Sequence, residues 1–365
     1  MRFSVRVNND LSVAELTALA VAAENAGFDQ VWVSNDLFLR SAPVLAATVA
    51  ARTSRIGIGI GVMNPYSVHP VELAMAAATL QEASGGRFLL GLGAGAEQFL
   101  GWAGLPRTAP LATTRTAVVT LRALLGHPDA DRALLPDWAR PPAAAALRFP
   151  VGKPVPVYVG AMGPRMLAMA GTHADGALPL LYPPETYPAA RAAVAAGALA
   201  SSRGASSTGA SSTGAAGREV DVPACFWVSL SDDPAEARNA LAEKLAYYGS
   251  SFGADLLAAA GLRPSDFAAA ARLAHAGRPA AALIDDRMLS LGIAGDAAAV
   301  LARCQGLRAM GAEHLSFGPP LGPDPVAAIG RLGDGVLPAL RTRPAAGGGQ
   351  PPASQAAARL GGSCP

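Results

Sequence analysis

Five places in this 365-residue chain bring together residue types that could hold a ligand or move a proton, and each lies where an apolar run stops. The first is Arg6, Asn8 and Asn9. The second is Ser34, Asn35 and Asp36, and the third is Gly61, Val62, Met63 and Asn64. The fourth is Gly93, Ala94 and Gly95, and the fifth is Gly160, Ala161, Met162 and Gly163. The set contains no Ser/His/Asp combination, no HExxH and no carboxylate cluster at metal-ligand spacing. Hydrolysis by a triad or by zinc therefore has no visible apparatus. Glycine and small apolar residues dominate instead. Such a surface suits a flat, aromatic cofactor that brings its own reactivity, with the protein supplying close backbone approach and orientation. The competing reading of these glycines is that they permit tight turns. The stretch GAMGPRM, residues 160 to 166, puts Gly-Pro at the mouth of a helix, where free N–H groups and the positive dipole end can hold a phosphate. GLGAG, residues 91 to 95, is not a dinucleotide fingerprint, because it lacks the third glycine and the acidic residue ending the next strand.

The elements that must position these groups alternate from the start. RFSVRVN (2 to 8) is a strand, and SVAELTALAVAAENAGF (12 to 28) is a helix opened by a capping box at Ser12 and Glu15. Three more units follow: 30 to 35 with 41 to 53, 55 to 62 with 69 to 85, and 87 to 95 with 111 to 125. Strands are expected next at 156 to 160, 176 to 181 and 220 to 230, then a helical insertion over 254 to 293, a last strand from 313 and a closing helix over 324 to 340. Eight strand-helix repeats predict an α/β fold, a closed (β/α)8 TIM barrel with insertions, whose working groups sit at the C-terminal ends of the strands. The barrel domain is expected over 1–340. The Ser/Gly/Ala/Thr stretch 201–217 is read as a low-complexity insertion and 341–365 as a disordered tail.

Composition narrows the function classes. Hydrophobic residues make up 51% and charged residues 15%, enough for a large core in one or two domains. No apolar run is long enough to span a bilayer, and Met1 leads straight into RFSVRV rather than a signal peptide, so a cytoplasmic enzyme is expected. The net charge of +2 comes from 29 basic and 27 acidic residues without long like-charge blocks. That leaves no footprint for nucleic acid or an anionic membrane and points to a small-molecule partner. Cys225, Cys304 and Cys364 form no CxxC, which suggests reduced, structural thiols and no metal.

The blocks AGFDQVWVSNDLF (26 to 38), GIGVMNPYSVHP (59 to 70), ATLQEASGGRFLLGLGAG (78 to 95), VPVYVGAMGPRMLAMAGTHADG (155 to 176) and FGPPLGPDP (317 to 325) resemble the luciferase-like flavin and deazaflavin oxidoreductase family. Within it they resemble the branch of methylene-tetrahydromethanopterin reductase. The resemblance covers most of residues 1 to 340. It implies a (β/α)8 barrel that binds coenzyme F-420, or FMN in other branches, at its C-terminal mouth and exchanges a hydride with a small organic substrate. It further implies a bulge with a non-proline cis bond at Gly61-Val62 whose backbone, with Met63, props the ring. Gly160, Ala161, Met162 and Gly163 would meet the cofactor phosphate, and Gly93 and Ala94 would line the pocket floor. Family members often form homodimers through barrel helices, and the Ala-rich helices at 41 to 53 and 69 to 85 permit such packing.

Two positions depart from the family pattern. Asn35-Asp36 stands where many relatives have Asp-His beside the deazaflavin. Asp36 is either a ring-side hydrogen-bonding group or a helix N-terminal acid. Arg6 stands where the methanopterin reductases carry a glutamate, which weakens the pterin reaction as an assignment. Arg6 and Asn8 would instead bind an anionic or carbonyl-bearing substrate, or Arg6 would face the barrel bottom or solvent. Arg6, Asn35 and Asp36 are thus the candidate catalytic groups, with His69 and Glu97 as alternative proton carriers. An FMN-dependent monooxygenase and a non-catalytic F-420-binding relative are the alternative functions.

Overall fold

The structure is a computed structural model that describes residues 1–140, 145–207 and 219–342. The strands are β1 (Arg2–Val7), β2 (Gln30–Val33), β3 (Gly57–Met63), β4 (Phe88–Leu92), β5 (Val157–Ala161), β6 (Gly176–Pro179), β7 (Ala224–Leu230), β8 (Ile293–Gly295) and β9 (His314–Leu321). They form one curled sheet in the order β6-β5-β4-β3-β2-β1-β9-β7-β8, and every pairing is parallel. The circle is completed below β7, where Asp221 bridges Gly176 of β6. This is the TIM-barrel-like α/β architecture that the alternation predicts.

Each strand is covered on both faces. Outward residues such as Phe3, Val5, Val31, Ile58, Ile60 and Leu90 join the main core against the helical shell. Trp32, Leu89, Tyr158, Leu178 and Cys225 form a separate cluster inside the barrel. The indole of Trp32 dictates the glycine spacing of β3, since a Cβ on Gly59 would collide with it and one on Gly61 would press against it at 3.2 Å. Gly59 and Gly61 of β3 are glycine because a tryptophan from β2 fills the lumen they face.

The strand count differs from the sequence expectation of eight. β8 lies at the end of the segment read as a helical insertion and is too short to carry a strand pattern. It extends the sheet by pairing with Val228, Ser229 and Leu230 at the upper end of β7. The seventh strand starts at Ala224 rather than 220, and the helix after β6 runs Tyr187–Ser207, so residues 201–207 of the supposed low-complexity insertion are helical. Residues 208–217 of that stretch and the tail from 343 lie outside the described residues. The barrel bottom is tied by a polar network: Asp221 accepts from Tyr158 Oη at 2.9 Å and pairs with Arg2 at 2.8 Å and His314 Nδ1 at 2.9 Å, while His314 Nε2 meets Ser4 Oγ. Among the described residues no helix is long and apolar enough to cross a membrane.

Candidate active site

A cavity of about 900 Å³ opens at the C-terminal ends of the strands. Of the twelve residues expected to be catalytic or to meet the cofactor, Arg6, Asn35, Asp36, Gly61, Val62, Gly93, Ala94, Gly160, Ala161, Met162 and Gly163 all line it. Met63 does not. It is 5% exposed and belongs to the core between sheet and helices, because strand alternation turns it outward once Val62 faces in. It therefore cannot contact a ligand in the cavity with its side chain.

The bond Gly61-Val62 is cis, and the β3–β4 register shifts between Ile60 and Met63, as the resemblance implied. The Val62 side chain sits between two glycines of neighbouring strands. A Cβ on Gly93 would stand 2.7 Å from one of its methyls and a Cβ on Gly160 2.6 Å from the other. With Leu180 and the lumen cluster nearby, Val62 forms an apolar floor. At the β5 end of this floor the helix Pro164–His173 begins at Gly163, which offers no side-chain cap, and the space beside Gly163 is open. Its first N–H groups are therefore available to an anion.

The other side of the barrel, built from β1, β2 and β7, is polar. Arg6 lies half-buried inside the barrel and faces neither the bottom nor bulk solvent. Its Nη2 donates to Phe226 O at 2.7 Å and Ser316 O at 3.3 Å, while its Nε is buried without a partner. Burial lowers its pKa. The guanidinium crosses Gly318, where any side chain would meet it. Asp36 is fixed through its backbone by Asn9, a fully buried residue. Asn9 accepts from Asp36 N at 3.2 Å and Ser34 Oγ at 2.9 Å, and donates to Asp36 O at 3.0 Å and Arg40 O at 2.8 Å. The following helix begins only at Ala42, so Asp36 is not a helix N-terminal acid. Burial raises the Asp36 carboxyl; Lys244 pulls it down and Asp10 adds to the rise.

Lys244 is the group the strand ends did not reveal. It lines the cavity from the helix Pro234–Tyr248, with its ammonium 4.3 Å from the Tyr248 ring centroid and 5.6 Å from that of Trp227. Burial pushes its pKa down to about 8, against the opposing pull of Asp10 and Asp36. A compositional signal existed: of the 29 basic residues only two, Lys153 and Lys244, are lysine.

The family model described as luciferase-like monooxygenase matches residues 1–314. The chain belongs to this family. Over 344 residues it is 28% identical to the 5,10-methylenetetrahydromethanopterin reductase of Methanolobus tindarius, covering 92% of this chain and 100% of that protein. Over 177 residues it is 36% identical to the F-420-dependent glucose-6-phosphate dehydrogenase of Nakamurella multipartita, covering 45% of this chain and 51% of that one. The solved coenzyme F-420-dependent tetrahydromethanopterin reductase of Methanopyrus kandleri superposes with a TM-score of 0.78 at 25% identity, covering 93% of this chain and 99% of that chain.

In this luciferase-like chain the two alternative proton carriers are occupied elsewhere. His69 caps the helix Pro70–Ala83 by accepting from Val71 N at 3.3 Å, and its ring packs on Trp138 at 5.0 Å. Glu97 reaches the cavity rim, but its exposed carboxylate pairs with Arg107 at 3.2 Å.

Proposed function

We propose that this chain is an oxidoreductase that holds coenzyme F-420 in the barrel-mouth cavity and exchanges a hydride between it and a small organic substrate. The observation that carries the reading is the two-sided cavity. An apolar floor, Val62 over Gly93 and Gly160, runs to an open helix N-terminus at Gly163, and a polar wall of Arg6, Asp36 and Lys244 lies across from it. A flat ring with a phosphate-bearing arm fits such a floor, and the relatives named as F-420-dependent support the choice of ring.

When bound, the deazaflavin supplies or accepts the hydride. Val62 would support one ring face, and the backbone from Gly160 to Gly163 would hold the phosphate. Ala94 and Gly61 border the ring site. Asn35 and Asp36 would meet the ring edge. On the opposite face Arg6 and Asn8 would orient the substrate through a carbonyl oxygen or an anionic group, which holds the reacting carbon close and excludes water. Arg6 cannot exchange protons at neutral pH, so its part is to bind and orient, and reduction of a carbonyl, imine or enone takes its proton from another group.

Residues 1–340 form a single domain in this reading. Val44 and Met75, on two adjacent shell helices, are 61% and 42% exposed and would be covered in a homodimer. The buried, unpaired Cys225 and Cys304 fit a reducing cytoplasm. Separate fluorescence titrations with F-420 and FMN test the proposal: saturable F-420 quenching is expected, and tight FMN binding without an F-420 response overturns it.

A further inference from the structure

We propose that Lys244 is the proton donor and acceptor that accompanies hydride exchange; this rests on the F-420 reading above. In the reducing direction the hydride goes from reduced deazaflavin to a carbon of the substrate C=O, C=N or C=C bond. The displaced π pair takes a proton from Lys244 Nζ. The deazaflavin is left oxidised, the substrate is reduced by two electrons, and the neutral amine regains its proton from water at the mouth. The oxidising direction reverses each transfer.

Position and chemistry set aside Arg6, Tyr248, His275, His69 and Glu97, and the proposed reading leaves Asp36 at the ring edge. Arg6 stays protonated and is bonded to two carbonyl oxygens. Tyr248 is pushed further up by burial, away from the neutral range. His275 is an exposed rim residue whose ring packs on Tyr247 at 4.5 Å, and His69 and Glu97 are committed as described. Lys244 alone combines cavity lining with an ammonium that has no hydrogen bond or ion pair among the described residues. The rings of Tyr248 and Trp227 flank that ammonium.

The composition sharpens the choice. Where a positive charge is all that is needed, this chain uses arginine, and the described ion pairs of its basic side chains are made by arginine and His314. One of its two lysines stands in the cavity, where a guanidinium would supply charge and never a proton. The charged groups acting on Lys244 are Asp10 beyond β1, Asp36 beyond β2 and Arg6 of β1; Tyr248 of its own helix lies against it, and Tyr247 and His275 line the same cavity. The shift to about 8 arises in that setting and suits proton transfer near neutral pH.

Two lysines also make the test close to site-specific. Reductive methylation with carbon-13 formaldehyde labels Lys153, Lys244 and the N-terminal amine, and the Lys244→Arg variant identifies the Lys244 signal by its loss. The expected result is a Lys244 midpoint well below that of exposed Lys153, and a Lys244 signal that moves when F-420 is added while Lys153 does not. A shared midpoint, or F-420 binding that leaves the Lys244 signal unmoved, overturns the proposal. Absence of any F-420 binding to the native protein instead sinks the F-420 reading, so the two failures are distinct. With 2-cyclohexenone as probe oxidant of reduced F-420, Lys244→Met and Lys244→Arg should each lose on the order of a hundredfold in rate while F-420 affinity holds. Lys244→Arg retaining the native rate and pH profile overturns the proposal. The labelling arm decides alone if the probe is not turned over.

Discussion

Replacing Gly160 with alanine separates two meanings of the glycines at the cavity floor. The new Cβ would stand 2.6 Å from a Val62 methyl, where carbon atoms ordinarily meet at about 3.5 to 4.0 Å. Something must move by about 1 Å, and overpacking of this kind costs about 1–3 kcal/mol. Val62 cannot turn away freely, because its other methyl already occupies the space beside Gly93 where a Cβ would stand. Gly160→Ala should therefore lower the urea midpoint and weaken F-420 binding. Val62→Ala removes both methyls at a cost of about 1 kcal/mol for a half-buried side chain. In the double variant the clash is gone, so its stability should return to that of Val62→Ala, giving a coupling of about 1–3 kcal/mol. Urea unfolding of the four proteins and F-420 titration of each measure both quantities. If Gly160→Ala is as stable as the native chain, or the two costs simply add, Val62 does not dictate the glycine. If stability recovers in the double variant while F-420 binding does not, the ring itself needs the space above Gly160.

The Lys244 ammonium has a folded pKa of about 8, below its ordinary value of about 10.4 when unfolded. The unfolded chain thus holds more protons between these values and stability rises with pH across that window; Lys244→Met should abolish this rise and exceed the native stability at pH 7 by at most roughly 3 kcal/mol, and an unchanged pH slope in urea titrations would count against it. Burial alone would raise the Asp221 carboxyl, but His314, Arg2 and Tyr158 outweigh it and hold it below the usual range. Its contribution is therefore present above the unfolded carboxylate value and lost as pH falls through the folded one, so Asp221→Asn should cost about 3 kcal/mol near neutrality and flatten acid unfolding followed by circular dichroism. Asn9→Ala leaves Asp36 and Arg40 backbone groups unmatched and should cost about 1–3 kcal/mol with weaker F-420 binding; full stability in thermal melts would show that water replaces the amide.

The barrel and the position of its mouth were legible because each strand is a short apolar run ending in a distinct residue set, and eleven of twelve expected residues meet in one cavity. The glycines were legible as positions needing space, but not what occupies it: Trp32 for Gly59, Val62 for Gly93 and Gly160, and Arg6 for Gly318. A glycine reports a missing side chain and carries no information about the neighbour, which comes from another strand. Met63 was misplaced because a run of strand-end residues shows no face until the bulge is known. β8 was missed because three residues give no period. Lys244 was missed because it sits on a helix, at the last turn before Tyr248, where the rule that barrel chemistry lies at strand ends does not look.

The two sides of the cavity are made of different materials, and this has a consequence for how the site would change. On the proposed reading the cofactor side rests on backbone and excluded side chains: the bulge of β3, Gly93 of β4, Gly160 to Gly163 after β5. Altering any of these moves strands that also carry the lumen packing of Trp32, so the ring site is tied to the stability of the barrel. The substrate side consists of side chains that project from β1, from the loop after β2 and from one helix. Arg6 can differ from a glutamate there without disturbing the sheet, provided Gly318 leaves room for the larger head group. Once a guanidinium occupies that position, the proton must come from another group on the same wall, and on the proposed reading that group is Lys244. Arg6 and Lys244 are therefore expected to behave as a pair: restoring a carboxylic acid at position 6 should relax the dependence of the reaction on Lys244, and a double variant Arg6→Glu/Lys244→Met that remains as inactive as Lys244→Met alone would show that the two positions do not share the proton's path.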